Sequence, residues 1–406
     1  MTIPSVVTPH FTRGVSLARQ TAFAVLTAVA EGGYASDLLR EGTRTLTGRD
    51  AGLAGQIVFG ALRYQAQLDY LIELYSRRWA NTLDRAVLIA LRTALFQLRY
   101  LERIPPHAAV HETVELVKQH QRAAAGLVNA VLRKVNRQPV RWPDRATELS
   151  CPEWLLRRWA EHFGHNPAIS IAKAALAQPV PYIRIPPGAE LPAGWETEPT
   201  AVPGAFRLRA MPGGADAAQS IRLHDISSQA ILPLLNLQPG DSYLDLCAAP
   251  GNKTMQALET PLGLAVACDI SPKRIRSIPP ICPRVALDGT KPLPFSRPFN
   301  KIFIDAPCSG TGTIGRNPEI KWRVQEEDLR KFGERQVQLV LRGLEVLAPG
   351  GKLLYATCSL EGEENEEVVA AVQRLRPGVE VEKTLWRLPG QEEGDGFFGA
   401  ILHLGT

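Results

Sequence analysis

Ser242-Tyr-Leu-Asp-Leu-Cys-Ala-Ala-Pro-Gly-Asn-Lys-Thr254 decides the fold of this chain. An apolar run passes into small residues around Pro250-Gly251, and a helical pattern starts at about Lys253. That order reads as a strand, a tight turn and a helix start, whose outward N–H groups cradle a nucleotide-like ligand. The candidate cradle residues are Cys247, Ala248, Ala249, Pro250, Gly251, Asn252 and Lys253.

Downstream the pattern repeats. Short apolar strands are expected at 242–248, 264–269, 284–287, 301–305 and 351–357, alternating with helices as a doubly wound α/β sheet requires. Open parallel sheets bind ligands beyond the C-terminal ends of their strands, so the residues ending each strand matter most. Asp269 ends the second, where an acid can accept both hydroxyls of a ribose. Asp288 ends the third, within reach of an adenine amino group, although a loop-start cap explains it equally well. The fourth leads into Asp305-Ala-Pro-Cys-Ser-Gly-Thr-Gly-Thr313 and the fifth into Tyr355-Ala-Thr-Cys-Ser-Leu360. Two cysteines and a carboxylate thus meet at adjacent strand ends on turns of Pro, Gly, Ser and Thr. Inert cysteines sit among apolar side chains, whereas reactive ones need a polar, partly exposed setting. Gly396-Phe-Phe-Gly-Ala-Ile-Leu-His-Leu404 reads as an antiparallel closing strand.

Upstream the sequence changes character. Residues 13–137 show apolar side chains at helical spacing almost throughout, punctuated by Glu31-Gly32-Gly33, Thr47-Gly48-Arg49-Asp50 and Ile104-Pro105-Pro106. An all-α domain over 1–140 follows, with a linker and a small, Pro- and Gly-rich α+β subdomain over 141–224, and the α/β domain over 225–406. The whole chain has 46 Lys+Arg against 41 Asp+Glu, yet residues 1–140 alone hold 17 against 10, and 15 of those 17 are Arg. Arginine forks suit phosphate and base edges, although a solvated helical surface explains the same charges. Arg133, Lys134 and Arg137 close the last helix, where positive charge is favourable. The mean hydropathy is −0.08 and no apolar stretch approaches the ~18 residues of a membrane span. The first residues lack the features of a signal peptide, so the cytoplasm is the expected compartment. Six dispersed cysteines without a CxxC pair argue against a disulfide framework and a zinc site, and no metal is expected.

The motifs Asp-Leu-Cys-Ala-Ala-Pro-Gly at 245–251, Asp-Ala-Pro-Cys-Ser-Gly-Thr-Gly at 305–312 and Ala-Thr-Cys-Ser at 356–359 resemble the S-adenosylmethionine-dependent RNA cytosine-5 methyltransferases. Within that family the chain is most similar to the RsmB (Fmu/Sun) type, which acts on the 16S RNA of the small ribosomal subunit. The resemblance extends through Asp225-Ile-Ser-Ser-Gln-Ala230 and Asp395-Gly-Phe-Phe398. Val58-Phe-Gly-Ala-Leu-Arg63, Pro106-His-Ala-Ala-Val-His-Glu-Thr-Val114 and Gly126-Leu-Val-Asn-Ala-Val-Leu-Arg133 resemble a NusB-type RNA-binding domain. The implied fold is a NusB-like helical domain, a small α+β subdomain and a Rossmann-like methyltransferase domain.

The resemblance also implies roles. Cys358 would add to C6 of the target cytosine, Asp305 would meet the electron density at N3 or O2, and Cys308 would help the C5 proton leave. Residues 247–253, Asp269, Asp288 and Asp305 would hold S-adenosyl-L-methionine. RNA is the implied partner, small-subunit ribosomal RNA before transfer RNA, and a monomer is expected. A ribosome-assembly factor that binds cofactor without turnover is the rival from another class; two thiols in polar turns speak against it. Arg316, Lys321, Trp322 and Arg323 are candidate RNA contacts, with simple packing an equal alternative for Trp322. Two departures stand out. Asn252 replaces the family's usual second glycine, a substitution that tolerates positive φ better than most. The crossover over 271–283 is short and contains four prolines, leaving room for one helical turn at 273–277 and a more open adenine side.

Overall fold

The computed structural model describes residues 14–211 and 221–405. The chain divides into two compact units, one of residues 1–157 with 315–323, the other of residues 158–314 with 324–406.

The first unit is helical. Its helices span Leu17–Ala30, Ala35–Gly42, Gly48–Arg63, Gln65–Ser76, Arg85–Tyr100, Pro106–His120 and Ala125–Leu132, with a single turn at Arg145–Glu148. Local chemistry starts them: Thr47 accepts a hydrogen bond from the Asp50 N–H, Asp84 accepts from those of Ala86 and Val87, and Pro106 occupies a first turn where no N–H is needed. Their apolar stripes meet in one core that includes Ala18, Val25, Ile57, Leu68, Leu71, Leu91 and Leu95. Gly60 makes room for the Phe96 ring; a Cβ there would stand 2.0 Å from the ring tip. The last helix stops at Leu132, short of its basic residues. Arg137 donates to the Leu98 and Leu101 carbonyls and Lys134 to that of Tyr75, so the two serve the ends of other helices.

Residues 315–323 also belong to this unit and carry hydrogen-bonding groups to helix ends. Lys321 Nζ donates to the Arg63 carbonyl at 2.8 Å, Trp322 Nε1 to that of Leu62 at 2.8 Å and Arg323 Nη2 to that of Gly33 at 2.6 Å. Glu319 accepts from the Ala35 N–H at 3.0 Å. Helix termini leave backbone groups without intrahelical partners, and a distant segment satisfies them here.

The second unit holds two sheets. In the smaller, strands β1 (Tyr182–Arg184), β2 (Glu196–Pro199), β3 (Ala205–Ala210) and β4 (Arg222–Leu223) lie in the antiparallel order β2-β3-β1-β4. The larger contains β5 (Ser242–Asp245), β6 (Leu264–Asp269), β7 (Arg284–Ala286), β8 (Phe299–Asp305), β9 (Leu347–Thr357), β10 (Val379–Arg387) and β11 (Phe397–Leu404), ordered β10-β11-β9-β8-β5-β6-β7. Strands β5 to β9 are mutually parallel, and β11 runs antiparallel to β9 as the closing strand. The edge strand β10 escaped the sequence reading because Val379-Glu-Val-Glu382 alternates only briefly and its outer positions are exposed. Apolar faces of β5, β8 and β9 pack Leu244, Ile302, Ile304, Leu353 and Tyr355 into the core beside Val337 and Val340 of the helix Glu326–Glu345. The short crossover makes one helical turn, Pro272–Ile275, capped by Ser271. Ile275 and Ile278 then pack on Ala248 and Ala267.

Candidate active site

Strand order places the ends of β5, β8 and β9 side by side, because β8 pairs with both neighbours. Register sets Asp305 opposite Ala356, so the two cysteine turns begin level with each other. Backbone bonds then join them: Ala306 N–H to the Ala356 carbonyl at 2.8 Å and Gly312 N–H to the Cys358 carbonyl at 2.9 Å. Gly312 is required, since a Cβ there would lie 2.4 Å from the Gly396 carbonyl oxygen. The outcome is a thiol pair, Cys308 Sγ 3.4 Å from Cys358 Sγ, both half-buried. The hydrogen bond to Cys358, burial, and the charges of Cys358, Glu364 and Asp305 together push the Cys308 thiol well above its ordinary range. The two thiols thus share one hydrogen bond, in which either sulfur can be the donor.

Beneath the pair lies a polar network that motif reading missed. Buried Glu364 accepts from the Ser309 N–H at 2.8 Å, the Ser359 hydroxyl at 2.6 Å and Gln336 Nε2 at 3.1 Å, clasping both turns. Gln336 also donates to the Pro307 carbonyl, and the Tyr355 hydroxyl to that of Glu364. Asn365 accepts from Thr357 and donates to the Ser359 carbonyl. Farther out, Trp159 and Arg158 both donate to Glu361. The available signal was Glu361-Gly-Glu-Glu-Asn365, a run of acids and an amide directly after the second cysteine turn.

On the β5 side, Lys253 Nζ stands 2.6 Å from Asp305 Oδ2 and 5.0 Å from the centre of the Phe397 ring. Lysine and carboxylate thus act on each other, and the lysine is not directed at a thiol. A cavity of about 90 Å³ is lined by Asp245, Cys247, Ala248, Pro250, Lys253 and Asp305, among others. Asp245 accepts from Thr254 Oγ1 at 2.7 Å, and burial pushes its carboxyl up to about 7. Its Oδ1 has no partner among the described residues. Burial also raises the Cys247 thiol, a lining residue rather than a nucleophile.

The residues present fit S-adenosyl-L-methionine. Gly251 adopts φ +104°, and a Cβ would come 2.9 Å from Ile278 Cγ1, so the cradle is closed around glycine. Asp269 is held at the end of β6 by the N–H groups of Ala249 and Ser271. The Asp288 carboxyl is held low by its Thr290 hydrogen bonds, and both go to Oδ1. Asn252 is the first residue of the helix Asn252–Ala257 and needs no positive φ, contrary to the reason expected for tolerating it. Its side chain instead donates to the Leu223 carbonyl.

Three of the four candidate RNA contacts require correction. Lys321, Trp322 and Arg323 are committed to helix-end carbonyls, with Lys321 fully buried, and Arg323 also lies 5.0 Å over the Tyr34 ring. Arg316 sits half-buried on the same segment. Unpaired helix ends outcompete solvent for these donors.

A sheet of this order, parallel but for the single reversed strand β11, with a glycine turn after its first strand and an acid after its second, defines an S-adenosyl-L-methionine-dependent methyltransferase. Comparison with known proteins makes the assignment specific. Residues 232–403 match the family model of the 16S rRNA methyltransferase RsmB/F, and residues 16–137 match that of the NusB family. Ribosomal RNA small subunit methyltransferase B of Klebsiella pneumoniae (strain 342) is 32% identical over 96% of this chain and 98% of its own length. The protein of that name from Shigella flexneri is 34% identical over 95% and 98%. The crystal structure of PH0851 shares the fold with a TM-score of 0.79 at 21% identity, covering 97% of this chain and 99% of that one. NSun6 from Pyrococcus horikoshii with SFG does so with a TM-score of 0.55 at 18% identity, over 63% and 98%. The chain belongs to the RsmB family of ribosomal RNA small subunit methyltransferases, and its cofactor is S-adenosyl-L-methionine. Among the described residues, no helix is long and apolar enough to cross a membrane.

Proposed function

We propose that this protein methylates C5 of a cytosine in the 16S RNA of the small ribosomal subunit, through a transient bond between Cys358 and C6. The observation that carries the reading is the thiol pair, Cys308 Sγ 3.4 Å from Cys358 Sγ, at adjacent strand ends beside the Lys253–Asp305 ion pair. The thiolate is the nucleophilic form that such an addition requires.

The ring chemistry explains the other residues. Cytosine C5 is a weak nucleophile until a thiolate adds at C6 and makes it enamine-like. The electron density gathers at N3 and O2, where Asp305 presents a carboxyl group backed by the Lys253 ammonium at 2.6 Å; that pair supplies the hydrogen bond and the proton N3 requires. Residues 247–253, Asp269 and Asp288 hold the cofactor, which supplies an electrophilic methyl group on a sulfonium. Once C5 carries the methyl group, its proton must leave before the Cys358 bond can break. Cys308, beside the adduct sulfur, gives its own proton to solvent and takes the one from C5. Reaching C6 requires the base to be turned out of any stack.

Labelled S-adenosyl-L-methionine, incubated with the full chain and naked small-subunit RNA or total transfer RNA, tests this when 5-methylcytosine is mapped. The expected result is methylation of the ribosomal RNA, abolished by Cys358→Ala, with Cys308→Ala accumulating a denaturation-resistant protein–RNA adduct. Methylation of transfer RNA alone would replace the substrate. An adduct with Cys358→Ala would reverse the two thiols, and no transfer to any RNA would overturn the reading.

A further inference from the structure

Beside the cofactor loop, a second cavity of about 290 Å³ opens between the small sheet and the helix Asn252–Ala257. Arg184, Arg222, His224, Asn252 and Glu259 are among its lining, and His224 and Asn252 line the loop cavity as well. The antiparallel pairing of β1 with β4 places Arg184 directly opposite Arg222. Like charges in that relation repel, so each needs a counter-charge. Only one has it. Arg184 takes Glu259 through both carboxylate oxygens, at 2.6 and 2.5 Å, and also donates to Gln229 and the Pro203 carbonyl. Among the described residues, half-buried Arg222 meets a single neutral acceptor, Asn252 Oδ1, at 3.4 Å. That asparagine is the residue standing where the family usually has glycine, and its amide nitrogen is anchored on the Leu223 carbonyl. His224 records the resulting field: burial first, then Lys253, Arg184 and Arg222, hold its pKa well below the ordinary histidine value. Among the described residues the cavity wall therefore carries one uncompensated positive charge next to the active-site loop.

We propose that Arg222, positioned by Asn252, seats a backbone phosphate of the RNA strand that delivers the target base. The inference rests on the RNA methyltransferase reading and names one electrostatic contact within it. A guanidinium fork presents parallel N–H donors that match phosphate oxygens, and partial burial strengthens such a bond relative to one on an open surface. Phosphate contacts fix strand register without reading sequence, as a site beside a base-flipping pocket requires.

Binding of a fluorescent single-stranded RNA oligonucleotide to the full chain, measured by anisotropy across a salt series, tests this without needing turnover. Arg222→Ala should weaken binding about tenfold at low salt and lower the salt-dependence slope by about 0.7, the value for one single-strand phosphate. Arg222→Lys should restore the slope and only part of the affinity, because a point charge replaces the fork. Asn252→Gly should weaken binding less than Arg222→Ala. S-adenosylhomocysteine binding, followed by calorimetry, should be unchanged in Arg222→Ala and Arg222→Lys. Unaltered affinity and slope in Arg222→Ala would overturn the site, as would loss of S-adenosylhomocysteine binding with RNA affinity intact. Wild-type protein that binds the oligonucleotide yet methylates no RNA would sink the proposed function and leave this contact standing.

Discussion

The helical unit and the methyltransferase unit both bury polar groups, and they use them differently. In the helical unit the buried donor Lys321 and the half-buried Trp322 end on carbonyls of helices whose cores are already complete. They finish elements that periodicity built. In the methyltransferase unit Glu364, Asn365 and Gln336 bind turns with no regular structure of their own, and those turns carry the thiols. Polar burial terminates structure in one unit and creates the site in the other. The same contrast appears in charge: burial pushes Lys321 down to about 7 and Asp245 up to about 7.

The largest break in this comparison should come from Glu364→Ala. It strands the Ser309 N–H and the Ser359 hydroxyl, costing roughly 3 kcal/mol and lowering methyl transfer at least about 100-fold through misplaced thiols. Thermal unfolding and single-turnover methylation read the two effects; near-normal turnover in a folded Glu364→Ala protein would show that the network does not position the cysteines. Gly60→Ala probes the other unit. Its Cβ would meet the Phe96 ring, which is stacked against Tyr64 and Tyr100 and cannot retreat. A loss of about 1–3 kcal/mol is expected, seen as faster hydrogen exchange in helices Gly48–Arg63 and Arg85–Tyr100, with cofactor affinity unchanged.

Smaller effects should follow pH with opposite signs. Lys321 has a folded pKa below its unfolded one, so the unfolded chain binds more protons between about 7 and 10.5, and stability rises with pH across that window. Asp245 has a folded pKa above its unfolded one, so the native state binds more protons between 3.8 and about 7, and stability falls as pH rises there. Exchange protection, corrected for intrinsic rates, should show Lys321→Met flattening the first slope in the helical unit. Asp245→Asn should flatten the second in the methyltransferase unit. A common slope in both units would mean that other groups dominate the titration.

Legibility followed the range of the forces involved. Helices at Leu17–Ala30 and Arg85–Tyr100 could be read because a 3.6-residue stripe is a local property. The strand preceding Pro250-Gly251 and the two cysteine turns were legible because their chemistry requires small residues at fixed offsets from a strand end. Strand β10 was not, since an edge strand is half solvated and its partner β11 supplies the pairing. The segment 315–323 misled for a related reason: Lys321-Trp322-Arg323 has the composition of a nucleic-acid contact, and composition does not say which acceptors are already waiting.

Sequence by itself determined the helical first part, the alternating second part, and which side chains have the chemistry to hold a cofactor and add to a base. Those features depend on residue type and near-neighbour spacing. Only the tertiary structure decided that Cys308 and Cys358 stand 3.4 Å apart, that Lys253 faces Asp305, and that Glu364 ties the thiol turns together. Each joins residues far apart along the chain, brought together by strand order and register. Hydrogen bonds and ion pairs act over a few ångströms, so they exist only once the sheet has assembled.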